Sequence, residues 1–112
     1  MGKTADNLLG TLDLLVLRTL AASEGETLHG FAITERIHQV SDDVLRVEEG
    51  SLYPALHRME EAGWIKSKWG LSDNNRRARF YSITASGRRR LARLEEDWMT
   101  HVDAVKRVMK LA

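Results

Sequence analysis

The last quarter of the chain limits most tightly what it can fold into. From Thr84 to Leu111 nothing breaks a helix except Gly87, near its start, and such a helix is ~40 Å long at 1.5 Å per residue. Leu91, Trp98, Val105 and Ala112 recur every seven residues, Leu94, His101 and Val108 follow three later in each heptad, and Val102 and Met109 widen the stripe. The other residues of this 112-residue chain form at most one modest core. A helix this long overhangs such a core, and a sustained heptad asks for a partner helix rather than the chain's own core. The expectation is a folded unit over 1–84 and a dimerisation helix over 85–112. Leu91, Leu94, Trp98, Val102, Val105, Val108 and Met109 form its seam.

Upstream, Leu8, Leu12, Leu15, Val16 and Leu20 fall at helical spacing, and Leu9, Leu14, Leu17 and Ala21 coat the other side. A helix apolar nearly all round is buried on more than one side. A second helix is expected over Gly30–Val40, with Ile33, Ile37 and Val40 inward. A third follows over about Gly50–Ala62, with Leu52, Leu56 and Met59 inward and Gly63 in the left-handed position beyond its end. Pro54 is comfortable there only if that helix starts no earlier than about Gly50. The stretch between the two helices is longer than a tight helix-turn-helix allows. The period then changes from helical to alternating. Ile65–Trp69 reads as a half-buried strand, 70–77 as a turn region and Arg79–Ile83 as the returning strand. Thr84 is placed to cap the last helix. Trp64 and Trp69, flanking the first strand, are expected to pack against the core.

A formal net charge of +1 conceals an asymmetry. Nine bases and one acid, Asp73, lie between Lys66 and Arg93, so this stretch carries +8 and the remainder −7. Such clustering is the footprint of a polyanionic partner. Three helices, a basic hairpin and a further helix is the order of a winged helix-turn-helix, in which a helix enters the DNA major groove and the hairpin reaches backbone or minor groove. The third helix presents Ser51, Pro54, His57, Arg58 and Glu61 outward, with Tyr53 on its flank. The hairpin offers Asn74, Asn75, Arg76 and Arg77 at its tip, with Lys66, Lys68 and Arg79 on its strands. The DNA-contacting set is expected among Ser51, Tyr53, His57, Arg58, Lys66, Lys68, Asn74, Asn75, Arg76, Arg77 and Arg79.

Other classes fit less well. Glu48-Glu49 and Glu60-Glu61 are adjacent pairs, whose side chains diverge on a helix, and no glycine-rich phosphate loop is present, so no enzyme site is expected. His29, His38, His57 and His101 match no metal-ligand spacing, and neither metal nor cofactor is expected. No apolar run reaches the ~20 residues that span a bilayer. No cleavable leader is apparent, and the absence of cysteine fits a reducing cytoplasm. A winged helix serving only as a protein-interaction module is the alternative, and the basic hairpin argues against it.

Three segments carry a resemblance. Leu28-His29-Gly30-Phe31, Glu49-Gly50-Ser51-Leu52-Tyr53-Pro54-Ala55-Leu56-His57-Arg58-Met59-Glu60 and Tyr81-Ser82-Ile83-Thr84-Ala85-Ser86-Gly87-Arg88 together resemble the PadR family of bacterial transcriptional regulators, over about Leu12 to Leu94. The short tail resembles the compact branch of that family. The resemblance implies a mainly α fold with a small antiparallel hairpin. It also implies a homodimeric repressor that holds a palindromic operator until a small-molecule inducer binds. It marks His29 as structural. Drug-sensing short members look similar around Trp98, where a tryptophan lines a cavity at the dimer interface. Two readings of Trp98 stand side by side: a planar aromatic inducer between two Trp98 rings, with His101 adding a polar contact, or a well-packed seam tryptophan without a ligand, with His101 facing solvent.

Overall fold

Residues 2–23 and 25–110 are described by a computed structural model, with side chains from Thr11 onward. Their elements run α1 (Gly2–Ala22), β1 (Leu28–His29), α2 (Gly30–Val40), α3 (Glu49–Glu61), β2 (Ile65–Leu71), β3 (Arg77–Ile83) and α4 (Ala85–Val108). The fold is mostly helical with one small antiparallel sheet, the winged-helix arrangement. Leu8, Leu9, Leu111 and Ala112, named in the helical stripes above, lie outside the described side chains.

The core forms where the apolar faces of the helices meet the inner end of the sheet. Val16, Leu17 and Leu20 of α1 pack with Ile33 and Ile37 of α2, Leu52, Ala55, Leu56 and Met59 of α3, Leu28, Ile65 and Tyr81 of the sheet, and Leu91 and Leu94 of α4. Removing each large side chain from water stabilises the fold by about 1.5–3 kcal/mol. The expected inward position of Val40 is not realised. It is the last residue of α2 and faces solvent, because the chain turns away immediately through Ser41 and the left-handed Asp42 and Asp43.

Local chemistry sets the element ends. The His29 imidazole caps α2, with Nδ1 accepting from the Ala32 N–H at 3.2 Å. α3 starts at Glu49, a residue earlier than expected, which sets Pro54 one position deeper in the helix. It ends at Glu61 with Ala62 as its cap, and Gly63 just beyond has a φ of +83°, the left-handed conformation glycine supplies at lowest energy. Thr84 joins three segments. Its backbone N–H donates to the Trp64 carbonyl (3.0 Å), its Oγ1 donates to the Gly63 carbonyl (2.6 Å), and the same oxygen accepts from the Gly87 N–H (3.0 Å). α4 lies so close to the chain below that a Cβ on Gly87 would overlap the Trp64 carbonyl oxygen.

Strand order is β1-β3-β2, all antiparallel, with Leu28 opposite Tyr81 and Ile65 opposite Ile83. The third strand, β1, was not expected from the sequence. Both long strands extend two residues further toward the tip than expected.

Two expectations about burial need correction. Leu91 and Leu94 do not sit on a free seam. They are 5% and 9% exposed within the chain's own core, because the first half of α4 packs along α1. The Arg18–Glu95 ion pair marks where that packing ends. From Trp98 onward the helix overhangs, with Trp98, Met99, Val105, Val108 and Met109 exposed and Val102 half-buried. Trp64 packs at the core margin beneath the Arg90 guanidinium, 4.8 Å from its ring centroid. Trp69 does not reach the core. It shares the inward face of β2 with Ile65 but lies beyond the edge of the helices.

Candidate nucleic-acid interface

The inward side of the hairpin tip shares a cleft with the start of α2 and with Tyr53 of α3, whereas Ser51 and His57 lie outside that cleft. Ser51 and His57 are exposed on α3, and His57 Nε2 lies 3.4 Å from Glu61 Oε1, one turn on. Tyr53 is half-exposed, and its ring lies against the backbone of Gly30, where any Cβ would clash with the ring carbons and hydroxyl. That contact fixes the Tyr53 phenol at the start of α2 and aims it along the surface toward the hairpin.

Arg58 is placed differently from expectation. Its guanidinium makes a two-pronged contact with Asp13 of α1, Nη1 to Oδ2 at 2.9 Å and Nη2 to Oδ1 at 2.8 Å. Asp13 is only 3% exposed. Hydrogen bonding to Asp13, opposed by burial and reinforced by the carboxylate's charge, raises the Arg58 pKa above its ordinary value. The contact occupies the Nη1/Nη2 end of the guanidinium and leaves Nε–H outside it. Arg58 therefore ties α3 to α1, with its side chain still 43% exposed.

The hairpin turns tightly. Asn75 N–H donates to the Ser72 carbonyl, Ser72 N–H donates to the Arg76 carbonyl (both 2.8 Å), and Asn75 is left-handed with φ of 61°. Asparagine tolerates that conformation better than most residues, so Asn75 shapes the tip on which Asn74 and Arg76 stand exposed. Strand alternation sorts the other bases. Trp69 opposite Arg79 and Leu71 opposite Arg77 continue the face that begins with Ile65 and Tyr81, whereas Lys66 and Lys68 point to the other side. The lysines are exposed but do not line the cleft between hairpin and helices.

That cleft, about 850 Å³ in volume, is lined by Phe31, Tyr53, Trp69, Arg76, Arg77 and Arg79 among others, with Glu35 and Asp73 its acids. Sequence reasoning did not single out Phe31 or Trp69 as surface groups there. Glu60 fixes the hairpin's angle to α3, accepting from Ser67 Oγ at 2.6 Å and lying 4.0 Å from Arg79. Beneath it, burial pushes the Tyr81 phenol above its ordinary pKa, with Arg79 opposing and the charges of Glu60 and Tyr53 adding to the rise. Among the described residues, no three His, Cys, Asp or Glu side chains are placed to hold a metal, and no helix is long and apolar enough to cross a membrane.

An exposed helix face beside a basic hairpin suits a duplex-binding surface, and similar proteins agree. A transcriptional regulator from Clostridium thermocellum superposes with a TM-score of 0.78 at 28% identity, covering 91% of this chain and 93% of its own. A PadR family transcriptional regulator from Eggerthella lenta superposes with a TM-score of 0.73 at 27% identity, over 99% and 93%. An uncharacterized protein of Lysinibacillus sphaericus is 27% identical over 95 residues, 84% of each chain. The family described as "Transcriptional regulator PadR-like family" matches residues 16–93. The two superposed structures and the matching family are transcriptional regulators rather than enzymes, and the chain belongs to the PadR-like family of transcriptional regulators.

Proposed function

We propose that the protein is a homodimeric repressor that grips a palindromic operator with α3 and the hairpin of each subunit. The observation that carries this reading is the shared cleft. Tyr53 on α3 and Arg76, Arg77 and Arg79 on the hairpin line one surface, at an angle fixed by Glu60 and Ser67. Ser51, Tyr53 and His57 are assigned to the major groove, and Asn74, Arg76, Arg77 and Arg79 to phosphates or minor groove. Residues 85–112 provide the dimer contact through Trp98, Val102, Val105, Val108 and Met109. Leu91 and Leu94 serve the subunit's own core.

Two-fold symmetry calls for an inverted repeat with half-sites ~34 Å apart, one helical turn of B-DNA. Duplex binding measured across a salt series tests the reading. Each phosphate contact contributes a slope of about −0.9 in log K against log salt, so Arg76→Ala/Arg77→Ala flattens the slope by about two units per subunit, nearly four for the dimer, and weakens binding to all sequences alike. Replacing Tyr53 or His57 instead erodes preference for the inverted repeat, by roughly 1–3 kcal/mol for a true base contact. Binding that ignores salt, or a double variant with unchanged slope, returns the protein to the interaction-module alternative.

The exposed Trp98 indole, with His101 6.0 Å away on the next turn, supports the release mechanism. In the dimer two Trp98 rings meet near the symmetry axis and admit a planar aromatic inducer between them, each stacking contact adding about 0.5–1.5 kcal/mol. Quenching of Trp98 fluorescence by such compounds, in a variant with Phe at Trp64 and Trp69, is the expected signal.

A further inference from the structure

Trp69 is 54% exposed and has no core neighbour, yet its ring is covered on the cleft side of the hairpin. The Arg77 guanidinium lies 4.6 Å from the ring centroid and that of Arg79 5.3 Å, both inside the ~6 Å reach of a cation–π contact. The strand register explains the pairing. Arg79 stands directly opposite Trp69, and Arg77, opposite Leu71, is its diagonal neighbour on the same face. One indole thus serves two arginines. Free in water, each arginine samples many rotamers, and ordering it at the moment of binding carries an entropic cost. Against a rigid indole, much of that ordering is already present in the free protein.

We propose that Trp69 is the positioning residue of the hairpin, holding Arg77 and Arg79 toward the cleft so that both reach DNA phosphates already ordered. This rests on the DNA-binding reading above. Trp69 acts through the arginines and touches no nucleotide itself. A neutral side chain thereby sets the salt dependence of a polyelectrolyte contact. Arg76, on the turn one residue before β3, has no aromatic neighbour among the described residues and is the internal control.

The test uses the full chain and a mixed-sequence duplex longer than two helical turns, with binding followed by fluorescence anisotropy across a salt series. Trp69→Ala weakens dimer binding more than tenfold, since each exposed cation–π contact is worth a factor of roughly two to five and both subunits lose the Arg77 and Arg79 contacts, and it flattens the salt slope. Trp69→Phe, which keeps a ring, retains most of the affinity. In an Arg77→Ala/Arg79→Ala background, Trp69→Ala has no further effect. Ring-current shifts of the Arg77 and Arg79 Nε–H resonances, absent for Arg76 and lost in Trp69→Ala, report the stacking independently of DNA. An unchanged affinity in Trp69→Ala overturns the proposal while leaving DNA binding intact. A loss that persists in the arginine-free background also overturns it, because Trp69 then contacts DNA itself. A wild-type chain that binds no duplex overturns the functional reading, and this proposal with it.

Discussion

Asp13 shows how a single buried charge redirects a neighbouring surface. Replacing Arg58 by Ala strands the Asp13 carboxylate, whose side chain is 4% exposed, without a partner. Breaking a fully buried pair costs about 3–5 kcal/mol, and solvent access to Arg58 reduces this to about 2–3. Urea unfolding should show that loss, and Asp13→Leu/Arg58→Met should recover most of it. Neither variant should alter sequence preference per folded molecule. The helical period showed that Arg58 leaves the buried stripe, but a period gives an angle and not a neighbour. Asp13 lies 45 residues away in sequence, and only the packing of α1 across α3 brings the two together. Tyr81 supplies a pH signature. Its folded pKa is raised by burial, so the native state holds the phenolic proton more tightly than the unfolded chain does. The resulting stability is complete below the unfolded value of about 10 and is lost as pH rises through the folded one. Denaturation of wild type and Tyr81→Phe in parallel should therefore show the wild type losing ground only above about pH 10.

Among the elements, the junction before α4 is the most constrained. Gly87→Ala places a methyl on the Trp64 carbonyl, and backbone cannot move aside as a flexible side chain can. Overpacking of this kind costs about 1–3 kcal/mol, and here thermal unfolding should register the upper end. Thr84→Ala removes the cap and the Gly63 contact together, with an expected loss of about 1–2 kcal/mol. The cap at Thr84, the turn at Gly63 and the bounds of α2 were legible in the sequence because each depends on chemistry within a few residues. β1 was not, since two residues have no period to read. Alternation placed Trp69 on the correct face of β2 but gave no measure of how far the core extends beneath it. In the same way the heptad revealed a stripe, without showing that Leu91 and Leu94 would be covered by α1 of the same chain.

The whole molecule is elongated, 51 Å along its longest axis against 29 Å across. Much of that excess length is the outer half of α4 standing clear of the core. Deleting everything after Glu95 leaves the intramolecular packing of Leu91 and Leu94 in place and removes the proposed seam. Light scattering should then report a monomer, and an intact dimer would locate the contact elsewhere. On the proposed assembly, the overhang also ties folding to abundance. Apolar surface that only a second chain can cover makes the folded state a two-molecule species, so each tenfold dilution removes about 1.4 kcal/mol from its stability. The melting temperature should climb with protein concentration. In a cell, a falling supply of the regulator would empty its operator twice over, through fewer chains and through a smaller folded share of them. Repression would then lift more steeply with declining copy number than binding alone dictates.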